Sequence, residues 1–324
     1  MQLSEVIEQY MIDCENRGVA EGTVRLYRRD LGLLAQWLRR VGVVALEGVT
    51  LALLRQFLNF LLTSGPDDRF PGATIRGRLA ASTVGTYVSV VKVFFQWCFD
   101  EELLDANPAA RLSRPKTPQK VTPAFTPEHI DKMLAACDTE TRSGLRDYVI
   151  LLVLLDTGMR VSELCNLRLS DVYPRYVKVL GKGQKEREIG LHPEVSKVLW
   201  KYIQKQRASF GIEDDHVFLG ERGPLSPAGV EMSIRLIGRR AGITGMRVSP
   251  HIMRHTFSKE YLKQGGDIFK LSRELGHSGV QITQKYYLTD FNSSDARQVH
   301  DAYSPISRMK LRKTKEGKKS RRKE

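Results

Sequence analysis

Between Arg247 and Tyr287 the chain reads RVSPHIMRHTFSKEYLKQGGDIFKLSRELGHSGVQITQKYY, a stretch that holds His251, Arg254, His277 and Tyr286 at intervals composition does not dictate. His251 and Arg254 stand three positions apart, so a helix puts them on one face. Leu275-Gly276-His277-Ser278 reads as a helix end, a turn and the start of the next segment, and Tyr286 follows His277 by nine residues. Such spacing lets a tyrosine hydroxyl be brought toward cationic donors.

Two further positions upstream need elements to present them. GLRDYVILLVLLDTG is a strongly apolar helix that ends at Gly158, and Arg160 follows at the junction with Glu163 three residues on. Taken alone, that pair reads as a structural ion pair at a wall of the core. Residues 176 to 191, YVKVLGKGQKEREIGL, alternate and turn as a β-hairpin with Gly181-Lys182-Gly183 at its tip. By position alone Lys182 is a solvated surface charge. Around these lie a helix from Thr126-Pro127-Glu128 through Ala136, one at about 193 to 209, a short strand Val217-Phe218-Leu219, and a helix capped by Ser226 at about 226 to 241.

The first hundred residues read as helices separated by turns. Leu3, Val6, Ile7, Tyr10 and Met11 recur at helical spacing up to Gly18. Thr23 is a candidate cap for a second helix, where Leu26, Tyr27, Leu31, Leu34, Leu38 and Val41 form an apolar stripe and Arg25, Arg28, Arg29 and Arg39 a basic face. Thr50 precedes a third helix that Gly65 stops. Residues 64 to 81 form a Gly/Pro/charge-rich loop, with Arg69, Arg76 and Arg78 available for phosphate. Ser82 or Thr83 opens a fourth helix, in which Tyr87, Val90, Val91, Phe94, Phe95, Trp97, Cys98 and Leu103 read as core rather than as a base-stacking platform.

Length predicts two domains, since 324 residues exceed what a single core usually encloses. Five prolines among basic residues in 107 to 127 interrupt any helix there and mark the junction. The expected organisation is a helical domain at 1–106, a linker at 107–124, a second domain at 125–305 and a basic tail at 306–324. The net charge of +14 points to a polyanion, with nucleic acid the leading partner. Residues 308 to 324 carry ten Lys/Arg against two Glu, a local +8 that leaves the rest of the chain at +6. That tail reads equally as a disordered solubility or targeting segment and as a nonspecific DNA contact. Cys14, Cys98, Cys137 and Cys165 are scattered without a CxxC pair, which indicates neither a disulfide framework nor a zinc site and suits a reducing cytosol. No apolar run is long enough for a membrane span or a signal sequence, so the reading is cytoplasmic with no membrane partner.

Taken together these positions resemble the tyrosine recombinases, the integrase group that includes the Xer recombinases, Cre and lambda-type integrases. TGMRVSEL carries Arg160, GKGQKER carries Lys182, HIMRH carries His251 and Arg254, LGHS carries His277 and ITQKYY carries Tyr286. TVRLYRRDL and the NPA element before the linker resemble the family's core-binding domain, so the likeness covers nearly all of residues 1 to 305. It implies a mainly α fold with a small β-sheet: an N-terminal helical, SAM-like core-binding domain and a C-terminal α+β catalytic domain. It also implies catalysis by Arg160, Lys182, His251, Arg254, His277 and Tyr286, with no cofactor and no metal. Tyr286 is then the nucleophile at a DNA phosphodiester, Arg160 and Arg254 the charge clamp, His251 the acceptor of the phenolic proton, Lys182 the donor to the leaving 5′ oxygen and His277 a phosphate hydrogen-bond partner. Glu163 orients Arg160, and Tyr287 and His255 are packing residues.

In relatives the segment corresponding to 291–305 forms a terminal helix that docks on a neighbouring subunit, which implies a homo- or hetero-tetramer on two duplexes. Integration or excision of a mobile element is the leading role, on the strength of the 64–81 loop and the lysine-rich tail. Xer-type dimer resolution, a type IB topoisomerase and a non-catalytic DNA-binding protein are the alternatives.

Overall fold

The structure is a computed structural model that describes residues 1–64, 78–116, 122–181, 186–277, 279 and 281. It is mainly helical with two small antiparallel sheets, and the chain divides into two compact units, Met1–Gln119 and Lys120–Glu324.

In the first unit four helices, α1 (Leu3–Asn16), α2 (Glu21–Arg40), α3 (Leu51–Thr63) and α4 (Ala81–Asp100), enclose an aromatic-rich core. Tyr10, Phe57, Phe94 and Phe95 are fully buried in it, with Tyr10 edge-on to Phe94 at a centroid distance of 5.4 Å. Tyr87, Phe94 and Phe95 of α4 are therefore core, with Trp97 packed against it, as their spacing predicts, while Phe99 is exposed. Thr50 caps α3 by accepting from the Leu53 N–H at 3.3 Å. Ala109 and Leu112, from the proline-rich stretch, are buried in this same core, so the first residues after Asn107 pack against it.

Several expected boundaries move. Thr23 is not a cap: α2 starts at Glu21, where an acidic first turn and the Glu21–Arg25 ion pair favour an earlier start. Val41, expected in the apolar stripe, lies past the helix end and is 45% exposed. The basic face is largely paired, Arg25 to Glu21, Arg28 to Glu8 and Arg29 to Asp30. Neither Ser82 nor Thr83 opens α4, which begins at Ala81 without a side-chain cap. It ends at Asp100 because Glu102 takes a left-handed conformation (φ 57°) and the Leu103 N–H returns to the Cys98 carbonyl. Leu103 thus packs on the core from beyond the helix. Gly65, Arg69 and Arg76 lie outside the described residues, and Arg78 is exposed.

The second unit is built on α6 (Arg142–Thr157), preceded by α5 (Pro127–Ala135). Thr126 caps α5 as expected, accepting from His129, and Gly158 closes α6 in a left-handed conformation (φ 58°). The short α7 (Val161–Cys165) follows at once, and then the hairpin β1 (Tyr176–Leu180) and β2 (Glu186–Gly190), which pairs Val177 with Ile189 and Val179 with Arg187. A helix at 193–209 is observed only in part: α8 (Pro193–Lys201) gives way to a π turn at Tyr202–Gln206 and a 3-10 turn at Arg207–Phe210. The strand read at 217–219 sits two residues later, β3 (Leu219–Gly220) with β4 (Gly223–Pro224), because His216 bridges to Arg168 and Val217 donates to the Leu167 carbonyl instead. Ser226 caps α9 (Pro227–Arg240). Next come α10 (Pro250–Lys263), which packs on α6, and α11 (Ile268–Leu275).

Among the described residues no helix is long and apolar enough to cross a membrane. All four cysteines are buried and unbridged.

Candidate active site

The C-terminal end of α11 organises the site. Gly276 is left-handed (φ 63°), its N–H returns to Arg273 and the His277 N–H reaches the Ser272 carbonyl at 3.0 Å. This is a Schellman closure, which leaves the last carbonyls of the helix for outside donors. Three guanidinium groups from distant parts of the unit take them. Arg187 donates through Nε to the Glu274 carbonyl at 2.8 Å, Arg254 through Nη2 to Leu275 at 2.8 Å and Arg160 through Nη2 to Gly276 at 2.9 Å. The partial negative charge of a helix C-terminus offsets the repulsion among the cations.

Arg254 is buried, 7% exposed, in the first half of α10. It also donates to the Gly158 carbonyl at the end of α6 at 2.8 Å, so one side chain joins the ends of α6 and α11. Gly158 is required twice over: its φ is positive, and a Cβ there would meet the Phe257 ring at 2.4 Å.

Arg160 sits at the N-cap of α7, its side chain 36% exposed. Its ion pair with Glu163 is present at 2.8 Å, and the other Glu163 oxygen accepts the Arg160 backbone N–H at 2.8 Å. Glu163 has a second and closer-fitting partner, since Arg187 donates to both its oxygens, at 2.9 and 2.8 Å. Burial alone raises the Glu163 carboxyl, but the Arg187 bonds, the Arg160 N–H, the Arg187 charge and the Arg160 side-chain bond outweigh it and hold it below the usual carboxylate range.

His277 lies against this group, with Nε2 at 2.9 Å from Arg254 Nη2. Desolvation, followed by the charges of Arg254, Arg160 and Arg187, pushes the imidazole down to about 4. It is neutral at physiological pH. With Nε2 facing a guanidinium donor, the proton belongs on Nδ1, and the ring is a hydrogen-bond donor from that side. His251 stands in the first turn of α10, exposed, and is also lowered, first by partial desolvation and then by Arg254 and Arg247. His255 is buried, 3% exposed.

Arg160, Arg254 and His277 are thus brought together around one helix end, and His251 lies within electrostatic reach of Arg254. Lys182, Tyr286, Tyr287, the 291–305 segment and the basic tail lie outside the described residues. The sequence reading missed Arg187. The signal was present, because in a period-2 strand Arg187 has the parity of the buried Ile189, which turns a charged residue toward the interior. A cleft of about 620 Å³ opens beside these groups, bordered by Lys178, Arg187, Arg273 and His277 and also by Glu186, Glu188 and Glu274. At the helix end itself the guanidinium groups of Arg160, Arg187 and Arg254 gather with the carboxylate of Glu163, and such planar donors suit the oxygens of a phosphate. Among the described residues one group could hold a metal ion, Asp214, Asp215 and His216, and there Arg168 already pairs with Asp215.

The fold is that of the integrases. The phage integrase family matches residues 123–293, and the N-terminal SAM-like domain of phage integrases matches residues 7–102. The chain belongs to the phage integrase family. It is 32% identical to tyrosine recombinase XerD of Proteus mirabilis over 93% of both chains. It is likewise 32% identical to tyrosine recombinase XerC of Myxococcus xanthus, over 94% of this chain and 98% of that one. Among solved structures, the Tn1549 transposon integrase in complex with a circular intermediate DNA covers 94% of this chain and is itself covered in full, at a TM-score of 0.73 and 19% identity. A lambda integrase tetramer bound to a Holliday junction covers 89% of this chain and is 77% covered, at a TM-score of 0.68 and 19% identity.

Proposed function

We propose that this chain is a site-specific tyrosine recombinase that cuts and rejoins duplex DNA through a 3′-phosphotyrosyl intermediate at Tyr286. The observation that supports this most is the gathering of Arg160, Arg254 and a neutral His277 at the end of α11. Attack on a phosphodiester places extra negative charge on the nonbridging oxygens, and preorganised guanidinium donors stabilise that charge. Arg160 is suited to it, being partly exposed with its orientation already fixed by Glu163. His277 would donate from Nδ1 to a nonbridging oxygen.

In the proposed step the Tyr286 oxygen forms a bond to phosphorus while the bond to the 5′ oxygen breaks. A phenol, with a pKa of about 10, must lose its proton, and His251, held neutral by its lowered pKa, can accept it. Lys182 returns a proton to the departing 5′ oxygen. One phosphodiester replaces another, so the energy of the cut bond is kept and ATP has no part. The guanidinium pair takes over the charge stabilisation that metal ions give other phosphoryl-transfer enzymes, and the reaction is proposed to be metal-independent.

By analogy with the lambda integrase tetramer on a Holliday junction, the working form is a tetramer, homo- or hetero-, joining two DNA sites through residues 291–305, in the cytoplasm. Integration or excision of a mobile element is the proposed setting. Similarity to XerC and XerD proteins favours a second reading, chromosome or plasmid dimer resolution. Incubation with a nicked suicide duplex carrying the native site, in the presence of EDTA, tests the chemistry. A covalent protein–DNA adduct is the expected result, and its absence with Tyr286 intact would contradict the proposal. Cleavage positions mapped on the DNA flanking the native gene separate the two settings.

A further inference from the structure

Arg187 has no place in the catalytic set drawn from the sequence, yet it bonds both the carboxylate that orients Arg160 and the end of α11. It stands on β2, the strand that leads out of the hairpin tip where Lys182 lies in sequence. All three of its guanidinium nitrogens are engaged: Nε with the Glu274 carbonyl at 2.8 Å, Nη1 with Glu163 Oε1 at 2.9 Å and Nη2 with Glu163 Oε2 at 2.8 Å. The side chain is 13% exposed and its partner Glu163 4%, so solvent screens this pair little.

The geometry is also exclusive. A Cβ at Gly276 would sit 2.8 Å from Nη1 and 2.9 Å from Cζ of Arg187, so the guanidinium lies flat against the turn that carries His277. A lysine, with a single point of charge, cannot make the paired bond to Glu163 and the bond to Glu274 together. Without Arg187, Glu163 keeps only its bonds to Arg160. A buried carboxylate left with one cationic partner would draw the Arg160 guanidinium inward, away from any bound phosphate.

We propose that Arg187 is a positioning residue, the tie that fixes the strand of the Lys182 hairpin to the carboxylate orienting Arg160 and to the turn bearing His277. It acts through Glu163 and α11 and need not touch DNA. The inference rests on the recombinase reading, because its readout is DNA cleavage.

Single-turnover cleavage of the nicked suicide duplex should be followed for Arg187→Lys, Glu163→Gln and the double variant, with duplex binding measured by gel shift and folding by thermal melting. Displacement of a catalytic group by an ångström costs roughly a hundredfold, so Arg187→Lys is expected to cleave roughly 10- to 100-fold more slowly while binding duplex within about threefold of the parent. Because the two residues act as one unit, the double variant is expected to cleave no more than about threefold more slowly than the worse single variant. Losses that multiply would overturn the proposal, as would an Arg187→Lys protein that cleaves at the parental rate, or one that loses binding and cleavage in equal measure. Should Arg187→Lys fail to fold, Arg187→Gln is measured in its place: the same cleavage-selective loss supports the tie, and parental cleavage removes it. A parent chain that forms no adduct brings down the recombinase reading and this proposal together, whereas an active parent with an equally active Arg187→Lys brings down this proposal alone.

Discussion

Arg254 Nη2 lies 2.9 Å from His277 Nε2, and the same nitrogen donates to the Leu275 carbonyl two residues before that histidine. One buried arginine therefore fixes both the ring and the backbone that carries it. After burial, it is the next cause of the ring's lowered pKa, since a guanidinium at this distance opposes a second positive charge.

Acid stability should report that state. His277 titrates at about 4 when folded and near 6.5 when unfolded, so the unfolded chain binds the proton more readily. The stabilising contribution is then fully present above pH 6.5 and is lost as pH falls through the window from about 6.5 to about 4. His251 is lowered in the same direction and adds to the loss. Urea midpoints measured across that window should fall with pH, and His277→Gln should flatten part of the slope. An unchanged slope in that variant would contradict the depressed titration.

Removing Arg254 leaves the Gly158 and Leu275 carbonyls without this donor in a buried place. Arg254→Met is expected to cost about 3 kcal/mol in chemical unfolding of the second unit. A loss under about 1 kcal/mol would mean that these carbonyls find water or other donors.

Gly158 and Gly211 share a left-handed conformation, φ 58° and 67°, but only Gly158 has a wall beside it, the Phe257 ring at 2.4 Å from a built Cβ. Gly211→Ala should cost about 1 kcal/mol, the conformational term alone. Gly158→Ala should cost about 3 kcal/mol, since the clash adds to it. Equal losses in thermal melts would refute the close approach of α10 to the end of α6.

Residues 291–305 are proposed to link protomers, and deletion of 291–324 is proposed to leave recognition of the single site intact. A chain ending at Asp290 should bind duplex containing the site with affinity within about threefold of the full chain at low salt, and fail to form paired two-duplex complexes on native gels. Intact strand exchange by the truncated chain would remove the linking role. A moderate loss of affinity that deepens with salt would instead assign the basic tail to phosphate contact.

Much of this centre is legible in the sequence, because its parts sit at punctuation marks. Gly158 and Gly276 end helices, one apolar and one amphipathic, and the residues just past such ends, Arg160 and His277, are presented by the turn. The ion pair of Arg160 with Glu163 follows from helical spacing. Arg187 is harder to see, since its partners Glu163 and Glu274 are 24 and 87 residues away. Only its inward parity on β2 marks it. The boundaries of α2 and α4 were misplaced for a different reason. Their starts lack side-chain caps, and α4 ends on a left-handed Glu102, a conformation for which glycine or asparagine is the ordinary sign.

The central claim is that one phenolic oxygen takes over the phosphate. Digestion of the trapped adduct and mass spectrometry of the nucleotide-bearing peptide tests it most directly. The account expects the DNA on Tyr286, with no adduct from Tyr286→Phe and an undiminished one from Tyr287→Phe. DNA attached to Tyr287, or to a serine such as Ser278, would contradict it.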